Sequence, residues 1–343
     1  MKYNLLGLEN KIREGLINKQ KHFSYDLWIY NYTPKCQFDK AWDDLTMQCR
    51  GLILDGEGKI IARPFKKFFN IEEIFTPLPS QKPDIYKKLD GSLIIVTVYH
   101  TNIIISTRGS FTSDQVRIAN RLIHNNKQLL NFILSHEKQY TFLFELIGPS
   151  NKIVILYPKD ELVLLAIINN EDGTEEDIEQ YRNLDFLRVV EKINVPEDDY
   201  VKYLKNLNTP NEEGFVLKWP DGYRVKIKFD NYLYLHKLIS NLNEKQIWQW
   251  LSENKTLSDI LNVLPDEYMQ YFLDIYNDFI KQYEFVEFYS KILTECVRHL
   301  PRKYAAIYIM NTEQKYQSVV FKMLDGKDYS KDIWKLLKPK HGE

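Results

Sequence analysis

Glycine punctuates the first two thirds of this 343-residue chain and then almost stops: eleven of the 13 glycines precede Leu238, and only Gly326 and Gly342 follow it. Glycine supplies the positive-φ geometry of tight hairpins and weakens helix interiors, so this change constrains the fold more than any other feature. Residues 1–238 are expected to form an α+β domain of antiparallel sheets with flanking helices, and residues 239–343 an all-α domain. Asp55-Gly56-Glu57-Gly58 should join strands at 51–54 and 59–62, His100-Thr101-Asn102 strands at 93–99 and 103–106, and Pro220-Asp221-Gly222 strands at 214–217 and 223–227. Further strands are expected at 27–30, 140–147, 152–157 and 161–169, with helix over 113–136. Beyond Leu238, Met269, Phe272, Leu273, Tyr276, Phe279, Ile280 and Tyr283 recur at helical steps, with Pro265 and Asp266 at the expected helix start. An aromatic stripe at that spacing is core before it is a base-stacking surface.

The chain carries 44% hydrophobic and 27% charged residues, an ordinary globular balance. No apolar run approaches the roughly 20 residues of a membrane span, and the first residues lack the core of a signal peptide. A soluble, cytoplasmic protein without membrane partners is expected, in the host cytoplasm if the chain is viral. Cys36, Cys49 and Cys296 have no Cys-x-x-Cys spacing and cannot all pair, which argues against a disulfide framework or a zinc site. The net charge of −1 means that any polyanion site must be local. Cations gather at Arg50, Lys59, Arg63, Lys66, Lys67, Lys82, Lys87, Lys88 and Arg108, and again at Lys218, Arg224, Lys226 and Lys228.

Lys88-Leu89-Asp90-Gly91-Ser92 sets a lysine two residues ahead of an Asp-Gly turn and just before the apolar run 93–96. An amine held on such a turn can attack the α-phosphorus of a nucleotide and keep the nucleotide as a phosphoramidate. To react it must be neutral, and neighbouring cations such as Lys87, Arg108, Lys226 and Lys228 are expected to disfavour its charged form. Val225-Lys226-Ile227-Lys228 places two lysines on one strand face, which reads equally as a phosphate clamp or a wet surface. Glu145 interrupts an apolar segment, where a carboxylate is costly unless paired, and Glu213 precedes a glycine that permits close backbone approach.

Together, Cys49-Arg50-Gly51, the segment 62–70 (Ala-Arg-Pro-Phe-Lys-Lys-Phe-Phe-Asn), Lys88-Leu89-Asp90-Gly91, Thr107-Arg108-Gly109, Phe144-Glu145, Glu213-Gly214-Phe215-Val216 and Val225-Lys226-Ile227-Lys228 keep the order and spacing of the covalent nucleotidyltransferase motifs. Over residues 25–240 the chain resembles phage ATP-dependent RNA ligases of the tRNA-repair type. The resemblance implies ATP-grasp-like antiparallel sheets, and Mg2+ or Mn2+ beside ATP. It implies that Lys88 is adenylated, that Arg50 and Lys67 hold the outgoing phosphates with Phe69 shaping that end, and that Arg108 and Glu145 contact the nucleotide sugar. Glu213 would act near the metal, with Glu145 a second candidate ligand through water. Lys226 and Lys228 would grip the α-phosphate, with Tyr232 close behind and Asp90 and Gly91 forming the turn.

The implied activity joins RNA 5′-phosphate and 3′-hydroxyl ends, cleaved tRNA among them, beside a polynucleotide kinase/phosphatase partner, with the helical domain recognising RNA. A GTP-dependent capping guanylyltransferase or a DNA ligase are alternatives with the same chemistry. A nucleic-acid-binding protein that has kept the fold without catalysis is the alternative of another class.

Overall fold

The computed structural model describes residues 3–136, 139–195, 199–209, 211–240, 243–255, 257, 269–312 and 314–339. The chain divides into two compact units, Met1–His236 and Lys237–Glu343. The first begins with α1 (Leu5–Arg13), β1 (Ile17–Lys21), β2 (Leu27–Tyr32), α2 (Pro34–Phe38), α3 (Asp44–Gln48), β3 (Arg50–Asp55), β4 (Ile60–Ala62) and β5 (Phe69–Asn70). It continues with β6 (Asp84–Lys88), β7 (Ser92–Tyr99), β8 (Asn102–Ser106), α4 (Asp114–Asn125), α5 (Lys127–Ser135), β9 (Tyr140–Ile147) and β10 (Glu161–Asn169). Then come β11 (Arg188–Val189), β12 (Lys192–Ile193), α6 (Tyr200–Leu207), β13 (Gly214–Lys218) and β14 (Arg224–Lys228), and α7 (Asp230–Ser240) runs into the second unit.

Three sheets form, ordered β1-β2-β3-β4, β11-β10-β9-β7-β8 and β12-β6-β13-β14-β5. Pairing is antiparallel except for β10 with β11 and β14 with β5. Leu8 of α1 packs on Tyr30, Leu52 and Leu54 of the first sheet. The opposite face of that sheet, Leu27, Ile29 and Ile53, meets Ile95, Ile104, Leu143 and Ala166 of the second. The far side of the second sheet, Ile94, Val96, Phe142 and Phe144, is covered by Val116, Ala119 and Ile123 of α4 and by Leu129 and Ile133 of α5. With both faces of β7 buried, residues 93–96 are continuously apolar rather than alternating. In the third sheet Ile85, Phe215, Leu217, Val225 and Ile227 pack on Leu204 of α6 and Tyr232 of α7.

Most strands lie where turn chemistry placed them. At the first hairpin, Asp55 Oδ1 accepts from the backbone N–H of Glu57 and Lys59, and Gly58 takes φ +82°. Two expectations fail, and the turn after Lys88 has its own topology. The helix over 113–136 is two helices: Asn126 leaves helical geometry (φ −104°, ψ 88°), and its side chain caps α5 by accepting from Leu129 N. Residues 152–157 are not a strand, because the backbone N–H groups of Val154 and Ile155 donate to the Asp90 carboxylate instead of to a ladder. The Lys88 turn closes no hairpin: β6 pairs with β12 and β13, whereas β7 pairs with β8 and β9, so the turn crosses from the third sheet to the second.

The second unit holds α8 (Glu244–Ser252), α9 (Met269–Val297), α10 (Arg302–Met310), α11 (Gln314–Leu324) and α12 (Ser330–Leu336). Val286, Leu293 and Val297 of α9 form its core with Ala305, Ile309, Val319, Val320 and Ile333. Phe272 and Phe279 of the predicted stripe are buried, as a core reading requires. Pro265 and Asp266 lie outside the described residues. Among the described residues, no helix is long and apolar enough to cross a membrane. All three cysteines are free thiols, and burial pushes the Cys36 thiol up to about 11.

Candidate active site

Strand register assembles the centre. Lys88, Gly214 and Lys228 are direct neighbours across β6, β13 and β14, and Tyr86, Val216 and Lys226 form the next row on the same face. Gly214, with φ +142°, contributes no side chain between the two lysines; a Cβ there would lie 2.0 Å from the Ile227 carbonyl oxygen. Glu213 reaches into the gap from the end of the strand. One of its oxygens accepts from Lys88 Nζ at 2.7 Å and the other from Lys228 Nζ at 2.8 Å. At 2% exposure this carboxylate would be costly alone. Although its burial opposes ionisation, the two ammonium groups hold its carboxyl below the usual range.

Lys88 therefore rests in an ion pair, not in the ring of cations expected from the sequence. Lys87 points to the other strand face, where it pairs with Glu191 and Glu212, each at 3.0 Å. Several other cations are also engaged elsewhere. Arg63 donates to the carbonyls of Asn170 and Glu171, Lys82 to that of Val195, and Lys218 and Arg224 converge on Glu175. Lys59 and Lys66 lie exposed.

The turn after Lys88 is clasped from behind. The Asp90 carboxylate, 2% exposed, accepts from Val154 N at 2.8 Å, Ile155 N at 2.7 Å and Tyr232 Oη at 2.8 Å. Asp90 N donates to Tyr157 Oη at 3.1 Å, and the Tyr232 ring lies 5.2 Å from Lys228 Nζ. Gly91 backs onto β9: a Cβ would sit 2.3 Å from the Leu146 carbonyl oxygen and 3.0 Å from Glu145 Cγ. Glu145 thus stands beside the turn. Burial, reinforced by Glu213 and opposed by Lys88 and Arg50, raises its carboxyl to about 7.

Phosphate-binding candidates form the adjoining wall. Arg50 opens β3 with its guanidinium 5.8 Å from the Phe68 ring, and Gly51 packs beside the Arg108 backbone. Arg108 Nη1 donates to Tyr32 Oη at 2.8 Å. Lys67, 7% exposed, has Nζ within 5.7 Å of the ring centres of Tyr32, Trp42 and Phe69. Lys226 is 8% exposed on the face shared with Lys228. Sequence reasoning missed Tyr32, Trp42 and Tyr157, aromatic residues with no motif signature.

Among the described residues, no three His, Cys, Asp or Glu side chains cluster as a metal cage. Glu145 and Glu213 form a two-carboxylate set, which suits a hydrated divalent cation that takes its remaining ligands from water and substrate phosphate.

An RNA ligase family model matches residues 48–238. A protein of Autographa californica nuclear polyhedrosis virus, named a bifunctional polynucleotide kinase/RNA ligase, is 30% identical over 292 residues, covering 76% of this chain and 40% of the viral protein. The RNA ligase of Rhodothermus phage RM378 is 23% identical over 356 residues, covering 81% of this chain and 79% of its own. A Naegleria gruberi RNA ligase solved with pyrophosphate overlays 46% of this chain and 52% of its own with TM-score 0.40 and 19% identity. This chain thus spans well under half of the baculovirus relative and most of the phage relative. The family match covers 191 consecutive residues, more than half of the sequence, including Arg50, Lys67, Lys88, Arg108, Glu145, Glu213, Lys226 and Lys228; the chain belongs to the RNA ligase family.

Proposed function

We propose that the chain is an ATP-dependent RNA ligase that seals a 5′-phosphate to a 3′-hydroxyl through a lysyl-AMP intermediate. One observation carries the reading: Lys88, Glu213 and Lys228 meet around the side-chain gap at Gly214, giving a nucleophile, a carboxylate and a second cation at one point. Lys88 Nζ attacks the α-phosphorus, the N–P bond forms and the α–β bridging P–O bond breaks. Pyrophosphate leaves with the electron pair, and Nζ gives up two protons overall. AMP then passes to the RNA 5′-phosphate, and a 3′-hydroxyl displaces it.

Lys226 and Lys228 hold the α-phosphate, Arg50 and Lys67 the departing phosphates beside Phe69, and Arg108 and Glu145 the sugar side. Asp90, Gly91 and Tyr232 fix the turn that presents Lys88. Mg2+ or Mn2+, held by Glu145 and Glu213 through water, would neutralise charge on the transferring phosphoryl group. Residues 1–238 serve as the adenylyltransferase domain, and 239–343 recognise RNA. The baculovirus relative's name, which joins a polynucleotide kinase to an RNA ligase, supports a kinase partner that prepares the ends; a phosphatase activity in that partner, and cleaved tRNA among the substrates, complete the reading. Free buried thiols at Cys36 and Cys49 support a reducing, cytoplasmic setting.

The test is incubation with α-labelled ATP and Mg2+, which should label the protein but not Lys88→Ala, followed by sealing of single-stranded RNA in preference to nicked DNA. Labelling from GTP instead of ATP, or a Lys88→Ala protein that still takes label, would overturn the reading.

A further inference from the structure

The long helix of the second unit, α9, buries one face and carries a pattern on another. Val286, Leu293 and Val297 turn into the core, and Ser290 and Thr294 are buried beside them. On the outside, Asp278, Lys281, Phe285, Phe288, Ile292 and Glu295 follow one another at alternating steps of three and four, and all are exposed. That is the 3.5-residue repeat with which one helix lines a seam against another. The middle of the stripe is apolar: Phe285 is 60% exposed, Phe288 64% and Ile292 45%, and the Phe285 ring stacks on Tyr289 at 6.4 Å and 14°. Single exposed apolar side chains are ordinary, but a contiguous stripe marks a contact surface.

Charge selects what covers it. Glu284, Glu287 and Glu295 lie on or beside the stripe and disfavour an RNA backbone there. Against a second copy of the same helix, direction decides. Parallel pairing sets each charge against its own counterpart, Asp278 on Asp278 and Lys281 on Lys281. Antiparallel pairing about a two-fold axis at Phe288 instead sets Lys281 opposite Glu295 and Asp278 opposite Arg298, and each of these contacts occurs twice. Glu295 already lies 2.9 Å from Arg298 of its own helix, but at 64% and 66% exposure that pair is weak and leaves both side chains available to a second partner.

We propose that α9 pairs with α9 of a second copy of this chain, antiparallel and centred on Phe288, to form a two-fold dimer. The proposal stands independently of the ligase reading. One helix pair lies at the small end of interface sizes, so the dimer exchanges with monomer in the micromolar range. Cys296 is exposed and reports the register. In this pairing the helix rise sets the two Cys296 thiols about 24 Å apart, whereas Lys281→Cys brings a new thiol beside Cys296 of the other copy.

Sedimentation velocity of the full-length chain across the micromolar range should show monomer passing into a species of twice its mass. Phe288→Glu should weaken that dimer by about a hundredfold, because symmetry removes two phenyl groups from the interface at once. Lys281→Glu should weaken it by about tenfold, and Lys281→Glu combined with Glu295→Lys should restore it, since the exchanged charges oppose each other again. These positions are exposed, so melting temperatures should stay at the wild-type value while assembly changes. Under mild oxidation, Lys281→Cys should give a linked dimer that Lys281→Cys/Cys296→Ser does not, and wild type should stay unlinked. A chain that is monomeric throughout the range, a dimer indifferent to Phe288→Glu, a charge exchange that fails to restore assembly, or wild type linked through Cys296 overturns the proposal. So does a monomeric chain whose Cys296 is shielded from alkylation by RNA.

Discussion

Asp90→Asn isolates the clasp behind Lys88, the proposed nucleophile. The wild-type carboxylate accepts three bonds of 2.7–2.8 Å at 2% exposure. A hydrogen bond to a charged group contributes about 1.5–3 kcal/mol and a neutral one about 0.5–1.5, so neutralising the acceptor removes roughly 1 kcal/mol per bond, about 3 kcal/mol in all. The shape survives, because the Asn carbonyl can keep the N–H groups of Val154 and Ile155 while the Tyr232 hydroxyl turns to accept from the new NH2. Tyr232→Phe removes one charged bond and should cost about 2 kcal/mol. The double variant should lose about 1 kcal/mol less than the sum, since both changes remove the same contact. Urea unfolding at pH 7, followed by tryptophan fluorescence, gives all three values. An Asp90→Asn protein within 0.5 kcal/mol of wild type, or strictly additive single changes, would refute the claim that this carboxylate ties the turn to α7. The same variant should label more slowly with AMP, because Lys88 lies two residues from the clasp.

Glu175→Gln should destabilise the first unit by about 3 kcal/mol, since Arg224 holds both Glu175 oxygens at 2.6 Å with Lys218 at 2.7 Å, and both cations would lose their counter-charge. The Arg224 and Lys218 charges outweigh burial and hold the Glu175 carboxyl below its ordinary 4.5, so its contribution is full above about pH 4.5 and is lost as pH falls through the depressed folded value. Wild type and variant should therefore converge in urea midpoint under acid conditions, and a gap that widens with acid would contradict this. Gly214→Ala should cost about 2–3 kcal/mol and separate Lys88 from Lys228, because φ +142° and a Cβ 2.0 Å from the Ile227 carbonyl both resist a side chain; an unshifted melting temperature would count against it. Arg63→Lys loses a guanidinium that binds two carbonyls and should lower stability by about 1–2 kcal/mol while AMP labelling per folded molecule is retained. A labelling defect without instability would place Arg63 in the site after all.

Sequence patterning located the hairpins because their signals are local: Asp55 caps its own turn, and Val225 and Ile227 alternate with Lys226 and Lys228 across a strand whose one face is core. It failed where partners lie far apart along the chain. The amides of Val154 and Ile155 were read as strand because nothing nearby reveals that Asp90, more than 60 residues earlier, takes them. That the Lys-x-Asp-Gly turn links two sheets is not legible in the sequence, because two extended segments and a glycine look alike whether they enter one sheet or two. Motif spacing brought Lys88, Glu213 and Lys228 to one place, but charge counting misjudged their company. Lys87, Lys218 and Arg224 are occupied by carboxylates that belong to no motif. Tyr32 and Trp42 stayed invisible because the role of an aromatic side chain depends on what its face meets.

Because Lys88 ends a strand of the third sheet and Ser92 starts one of the second, the proposed nucleophile sits on a seam. Glu213 and Lys228 share the lysine's sheet and travel with it, whereas Glu145 belongs to the second sheet and Arg50 to the first. Small rocking of the sheets would leave the ion triplet whole while changing its distance from the opposing carboxylate and guanidinium. Under the ligase reading, a change of angle between the sheets would alter the reach of Glu145 and Arg50 towards a bound nucleotide without dismantling the triplet.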